Sequence, residues 1–381
     1  MMKDGIFRIA QFGTFDIESM GDTLFPHALS HGLSKHISLD VTLFSMRRCE
    51  NSYNNNGVVH ALDKFPACHA EEPFDLAVLG GGEFLHFKPI CFTVDGEEKP
   101  YEAGYLWKKP IEMARTAGVP VVLNCVGCSH DMTESQQAEL KEILDGVRYV
   151  SVRDIYSLAR LREAGVAAAA VADNLWYMNE MYSSEELAET RLALETRTGK
   201  NFSKPYILVQ YGTTKNASVL AEQLRALRLE TGYRILLMPV NYCHEDREGM
   251  RLLYEAGKGA LSMVDDYLQP KEMISVIAGA RAFVGTSLHG NLTAASYGVP
   301  FVGIDMYPSF VSKMDGIFSM IGCEEYLVPA ERAVKAALSA RLADTGRDAF
   351  VAERVRTLRA ALDRHFEKIA KDLKGDIHES F

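Results

Sequence analysis

The sequence predicts an α/β protein built as two Rossmann-like doubly wound domains with a long C-terminal helix, and three observations predict it. Short apolar runs alternate with stretches of helical periodicity along nearly the whole chain, the pattern of parallel sheets covered by helices. The runs lack the period-two alternation of half-exposed strands, as strands buried on both faces do. The length of 381 residues, at roughly 150 residues per domain, allows two hydrophobic cores.

In the first half, strands are expected at 7–12, 39–44, 75–79, 119–124, 149–152 and 166–172, with helices near 23–35, 105–117, 134–144 and 154–163. Thr133 followed by Gln136 is a capping-box pattern for the third helix. Gly165 suits a left-handed residue ending the fourth. The second half repeats the alternation, with strands at 206–211, 234–240, 261–264, 282–285 and 301–304. Its helices are expected at 217–229, 246–256, 271–278 and 289–297. The polar stretch 181–204 reads as a partly helical linker. The tail from 349 to 374 carries Val351, Val355, Leu358, Leu362 and Phe366 about a turn apart, as an amphipathic helix does. The expected division is therefore 1–180, 205–345, and a C-terminal helix and tail over 346–381.

The chain has 41 Lys+Arg, 51 Asp+Glu and a formal net charge of −10, which argues against a dedicated nucleic-acid binder. Its 47% hydrophobic and 24% charged residues are ordinary globular values and exclude a disordered chain. No run of 18 apolar residues suggests a membrane span, and the N-terminus lacks a signal-peptide core. The seven cysteines form no dense framework, which favours reduced thiols and a cytoplasmic location. The Cys125–Cys128 spacing would need two more ligands for zinc, with only His130 nearby; two small residues after a buried strand is the simpler reading.

Tandem open sheets bind ligands beyond the C-terminal ends of their strands, and the unusual residues of this chain fall there. Asp22, at a helix start after the first strand, reads either as an N-cap or as a carboxylate meeting a sugar hydroxyl. Gly80-Gly81-Gly82-Glu83 follows the third strand, and its glycines allow close backbone approach to a ligand. It is not a dinucleotide fingerprint, so no nicotinamide cofactor is expected. Arg153 ends the fifth strand, where its fork suits a carboxylate or phosphate; a surface pair with Asp154 is the plainer alternative. Asp173 ends the next strand. The segment 280–300 is strand, polar turn and small-residue helix, with Leu288, His289 and Gly290 in a first turn suited to phosphate. Lys313 is either a second cation for an anionic ligand or a solvated helix residue. In Cys243-His244-Glu245-Asp246-Arg247 the expected role is a helix cap at Asp246.

In order along the chain, Gly21-Asp22, Asp75 with Gly80-Gly81-Gly82, Ser151-Val152-Arg153-Asp154 with Ser157 and Gly165, Asp173, Leu288-His289-Gly290 with Ala294 and Gly298-Val299-Pro300, and Lys313 resemble the polysaccharide pyruvyl transferase family. The resemblance covers most of residues 7 to 325. It departs in two places: Ser19 stands where the family commonly has Asn, and Ser287 where it commonly has Arg. The resemblance implies two domains of glycosyltransferase-B type, the first on the acceptor side and the second on the donor side. It also implies transfer of pyruvate from phosphoenolpyruvate onto sugar hydroxyls as a ketal, with phosphate released and no cofactor or metal. Arg153 would hold the anionic donor, and Leu288 and His289 would line its pocket.

On this reading His289 is the candidate general acid, and Asp22 or Asp173 orients or deprotonates the acceptor. Arg153, His289 and Asp22 are the catalytic candidates, with Gly81, Gly82, Asp173, Leu288, Gly290 and Lys313 binding substrate. The acceptor would be a nucleotide-linked, lipid-linked or polymeric sugar in polysaccharide biosynthesis, and a lipid-linked one would bring the protein to the inner membrane surface. Two alternatives remain: a nucleotide-sugar glycosyltransferase, for which Asp305 is a weak ribose ligand, and a non-catalytic anion- or glycan-binding relative.

Overall fold

A computed structural model describes residues 5–375 except 52, 88, 95, 96, 102, 103, 244, 245 and 310. The chain divides into two compact units: residues 1–174 with 358–381, and residues 175–357. The division falls after Asn174, slightly earlier than expected, and it splits the C-terminal helix between the units.

The first unit holds the strands β1 (Phe7–Phe12), β2 (Leu39–Ser45), β3 (Cys49–Asn51), β4 (Gly57–Ala61), β5 (Leu76–Gly80), β6 (Ile90–Val94), β7 (Glu97–Tyr101), β8 (Val121–Val126), β9 (Tyr149–Val152) and β10 (Ala169–Ala170). Eight of them form one sheet in the order β10-β9-β8-β5-β1-β2-β4-β3, while β6 and β7 pair separately. Every pairing in the large sheet is parallel except β3 on β4. The helices are α1 (Phe25–Ser34), α2 (Phe65–Glu71), α3 (Tyr105–Thr116), α4 (Glu134–Leu144) and α5 (Ile155–Glu163). On one face Phe12, Phe44, Phe65 and Phe74 close an aromatic cluster, with Phe12 and Phe44 stacked at 5.2 Å. Phe44 and Phe65 are fully buried, and truncating either to Ala would cost about 3–5 kcal/mol. The capping box at Thr133 and Gln136 is present, and Gly165 has φ +70°. The expected strand 166–172 shrinks to Ala169–Ala170.

The second unit holds β11 (Tyr206–Gln210), β12 (Arg234–Leu237), β13 (Leu261–Met263), β14 (Ala282–Gly285), β15 (Phe301–Ile304) and β16 (Leu327–Val328). They form an all-parallel sheet in the order β13-β12-β11-β14-β15-β16. Its helices are α6 (Met178–Met181), α7 (Ser184–Thr198), α8 (Ala217–Thr231), α9 (Asp246–Ala256), α10 (Pro270–Ala278), α11 (Leu288–Ser296), α12 (Lys313–Ile321) and α13 (Val334–Ala343). The stretch expected as a linker is mostly α7, which buries Leu187 and Leu194. Arg191 donates to the Ser275 carbonyl of α10, and Lys271 pairs with Glu186.

The last helix, α14 (Thr345–Leu373), begins in the second unit and ends in the first. Its final turns pack on the first unit's sheet: Phe366 is fully buried and a Cβ on Gly32 of α1 would sit 2.3 Å from its ring. Asp372 pairs with Arg148 at 2.5 Å, and His365, 4% exposed, lies 2.7 Å from Asn124 Oδ1. Among the described residues no helix is long and apolar enough to cross a membrane.

Candidate functional site

In the first unit, β1 lies between β2 and β5, so the chain order reverses between β1 and β5, the place at whose C-terminal strand ends open α/β sheets bind ligands. The turn after β5 uses glycine for two reasons. Gly81 and Gly82 have φ +94° and +81°, which other residues rarely adopt. A Cβ on Gly80 would lie 2.3 Å from the Asn124 carbonyl, and one on Gly81 would lie 2.1 Å from the Phe25 ring. The backbone is thus pressed between β8 and α1.

Asp22 comes to this turn from the segment after β1. Its side chain caps neither the short 3₁₀ turn Asp22–Leu24, whose N-cap is Gly21, nor α1, whose N-cap is Leu24; instead Asp22 Oδ1 accepts from Thr14 Oγ1 at 2.9 Å. The same oxygen would lie 3.3 Å from a Cβ on Gly82. Ser19, at the position commonly Asn in the family, has its hydroxyl 3.5 Å from the Asp22 backbone N–H.

Arg153 is 1% exposed and faces three carboxylates: Glu83 at 2.5 Å, Asp154 at 3.6 Å and Asp173 at 3.7 Å. The expected pair with Asp154 is present, but in the interior rather than at the surface, because both residues are buried. The expected fork for an external anion is already facing three of the chain's own carboxyl groups. Burial opposes the guanidinium charge, but Glu83, Asp173 and Asp154 together hold its pKa above the ordinary value. For Glu83, burial is outweighed by Arg153 and by two hydrogen bonds from Ser129, and its carboxyl is held below the usual range. Asp154 caps α5 by accepting from Ser157 N–H at 2.7 Å, and burial pushes its pKa up despite Arg153.

Glu83 was not among the expected site residues. Its signal in the sequence is its place directly after three glycines at a strand end. Cys125 and Cys128 are buried free thiols. Burial pushes Cys125 up to about 12 and Cys128 higher still. Among the described residues no cluster of His, Cys, Asp and Glu is arranged to hold a metal ion.

In the second unit the corresponding reversal lies between β11 and β14. Gln210, buried at the end of β11, organises it. Its Oε1 accepts from Ser287 N–H at 2.8 Å and from Thr286 Oγ1 at 3.2 Å, while its Nε2 donates to Asp246 Oδ2 at 3.1 Å. Asp246 Oδ2 also accepts from the N–H groups of Val240 and Asn241. Asp246, expected as a helix cap, is buried at the start of α9 and anchors the loop after β12; His244 and Glu245 lie outside the described residues.

Ser287 is the N-cap of α11, accepting from Gly290 N–H at 3.2 Å. The position commonly held by Arg in the family therefore serves helix capping here. Leu288, half-buried His289 and Gly290 form the first turn. Asn291 secures it by donating to the carbonyls of Gly285 and Ser287, and a Cβ on Gly290 would lie 2.6 Å from the Phe283 ring. Lys313 is exposed at the first position of α12. Asp305 is buried and its Oδ1 accepts from Tyr307 N–H; burial pushes its pKa up.

The structure thus brings Asp22, Gly81 and Gly82 together in one unit, with Arg153 and Asp173 joined to the same turn through Glu83. In the other unit Leu288, His289 and Gly290 share one helical turn, and Lys313 stands on a separate helix start.

Comparisons with known proteins bear on both halves. The chain resembles the solved structure of Anabaena HepE in complex with UDP and glucose (9% identity, TM-score 0.54, covering 97% of this chain and 100% of that one). It is also similar to sucrose-phosphate synthase from Thermosynechococcus elongatus (14%, 0.58, 97% and 100%) and to S. aureus MnaA with UDP (10%, 0.61, 99% and 98%). At such identities the likeness shows the fold, which is of glycosyltransferase-B type. A search of curated proteins finds no match. The family model for polysaccharide pyruvyl transferase matches residues 20–306, a span that takes in the Asp22 turn, the Arg153 cluster and the His289 helix start, and the chain belongs to that family.

Proposed function

We propose that this transferase moves pyruvate from phosphoenolpyruvate onto two hydroxyls of a sugar, forming a ketal and releasing phosphate. The observation that carries the reading is the α11 start. His289 stands in its first turn at the sheet's switch point, in a chain belonging to a pyruvyl transferase family. The donor is an anion with both phosphate and carboxylate, and a helix N-terminus favours negative charge. The carboxyl-rich turn of the first unit suits hydroxyl groups better than an anion, which moves the donor role away from Arg153.

The chemistry balances as follows. His289 gives a proton to the methylene carbon, making it a methyl group, while one sugar oxygen bonds to the adjacent carbon. The bond from that carbon to the phosphate oxygen breaks, and phosphate leaves with the electron pair. The second sugar oxygen then bonds there. Of the two hydroxyl protons lost, one replaces the proton His289 gave and the other leaves with phosphate. Exposed Lys313 is the second cation in this scheme. The UDP in the HepE and MnaA structures supports a nucleotide-linked sugar as the form of acceptor to try first. The glycosyltransferase alternative has less support, because Asp305 is engaged by its own loop.

The test is incubation with phosphoenolpyruvate and a panel of sugars, scored by released phosphate. His289→Ala should lose activity by about 10²–10⁴-fold, the usual contribution of an acid–base group, while keeping the wild-type melting temperature. Full activity in that variant would remove His289 from the mechanism.

A further inference from the structure

We propose that Glu83, held by Arg153 and Ser129 beside the triple-glycine turn, binds a hydroxyl of the acceptor sugar; this rests on the pyruvyl-transfer reading. Of the four charged residues in the cluster, Glu83 has the greatest exposure: its side chain is 18% exposed, against 1% for Arg153, 2% for Asp154 and 0% for Asp173. Among the described residues its hydrogen bonds leave room for one more donor. Oε1 accepts from Ser129 N–H at 2.6 Å and Ser129 Oγ at 2.9 Å, which uses both of its lone pairs. Among the described residues Oε2 accepts from Arg153 Nη2, at 2.5 Å, which leaves one lone pair for an incoming O–H.

The surroundings choose the kind of ligand. Arg153 is engaged by three of the chain's own carboxyl groups rather than free for an anionic donor, and carboxyl oxygens suit hydroxyl hydrogens. The Asp22 carboxylate lies over Gly82, the residue before Glu83, so carboxylates stand at both sides of one turn. A ketal consumes two hydroxyls, and this turn offers an acceptor for each. The site is therefore that of a sugar diol, with Arg153 as the positioning residue.

Gly127 is a further sign that the pair is built in. A Cβ there would lie 2.6 Å from Glu83 Oε2 and 2.7 Å from Arg153 Nη2, so any larger residue pushes them apart. Arg153 and Ser129 hold the carboxylate ionised, the form that accepts a hydroxyl hydrogen.

The experiment uses the full chain, wild type, Glu83→Gln and Gly127→Ala, with melting followed by circular dichroism to confirm folding. Three readouts are taken: binding of methyl hexopyranosides by saturation-transfer NMR, binding of phosphoenolpyruvate by calorimetry, and phosphate release. Glu83→Gln should lose sugar binding and at least about 10²-fold in turnover, with phosphoenolpyruvate affinity within twofold of wild type. Gly127→Ala, which keeps the carboxylate but displaces it, should show the same pattern in weaker form. Sugar binding and turnover in Glu83→Gln within twofold of wild type would overturn the proposal, as would a loss confined to phosphoenolpyruvate binding. A wild-type protein that binds the sugars but consumes no phosphoenolpyruvate would refute the pyruvyl-transfer reading. In that case loss of sugar binding in Glu83→Gln would still support the hydroxyl-binding role.

Discussion

His365 makes the stability of the first unit depend on pH in a way that can be calculated. Its ring is 4% exposed between Asn124, Tyr149 and Phe366, with Lys368 three residues along the same helix. Burial, reinforced by the Lys368 charge, pushes its pKa down from 6.5 to about 3. The native ring is therefore neutral at pH 5, whereas the unfolded chain binds a proton below its ordinary pKa. Stability from this residue is complete above pH 6.5 and falls as pH drops toward 3, at up to about 1.4 kcal/mol per pH unit. Between pH 7.5 and pH 5 the loss should be about 2 kcal/mol. His365→Gln keeps an amide donor for Asn124 Oδ1 but cannot titrate. Urea unfolding of both proteins at pH 7.5, 6 and 5 should show the wild type losing about 2 kcal/mol more than the variant over that range. Parallel pH profiles would refute the assignment of a buried neutral imidazole.

Two further substitutions test the helix contacts and the capped turn. Gly32→Ala places a methyl group 2.3 Å from the Phe366 ring. It should destabilise the protein by about 1–3 kcal/mol through overpacking, despite the better helix propensity of Ala; a raised melting temperature would contradict the close packing of α1 on α14. Ser287→Arg removes the N-cap of α11, at about 1 kcal/mol, and restores the cation common in the family. Calorimetry should show phosphoenolpyruvate binding roughly tenfold tighter, the size of one charge-assisted hydrogen bond, alongside a lower melting temperature. Unchanged affinity would show that the α11 start does not meet the donor.

Much of the fold is legible in the sequence because buried parallel strands and capped helices leave local marks. The Thr133–Gln136 box and the left-handed Gly165 are such marks. Features that depend on a distant partner are harder to read. Strand β4 lies near the sheet edge with Val58 44% exposed, so its short run has no clear burial pattern. The polar helix α7 reads as a linker because its stability comes from contacts with α10. The β6–β7 pair does carry a local signal, Asp95-Gly96 between two short runs, although residues 95 and 96 lie outside those described. At the candidate site, residue types at strand ends mark the place but not the pairing. Arg153 alone suggests an anion fork; only the structure surrounds it with Glu83, Asp154 and Asp173. Asp246 likewise looks like a cap until Gln210 and the loop N–H groups are seen to converge on it.

The most direct measurement is the reaction run in deuterated water with phosphoenolpyruvate and a sugar acceptor, the product analysed by mass spectrometry and NMR. Protonation of the methylene carbon predicts a pyruvate ketal carrying one non-exchangeable deuterium in its methyl group, with one phosphate released per ketal. A product lacking the pyruvyl group, formed instead from a nucleotide sugar with release of the nucleotide, would contradict the account.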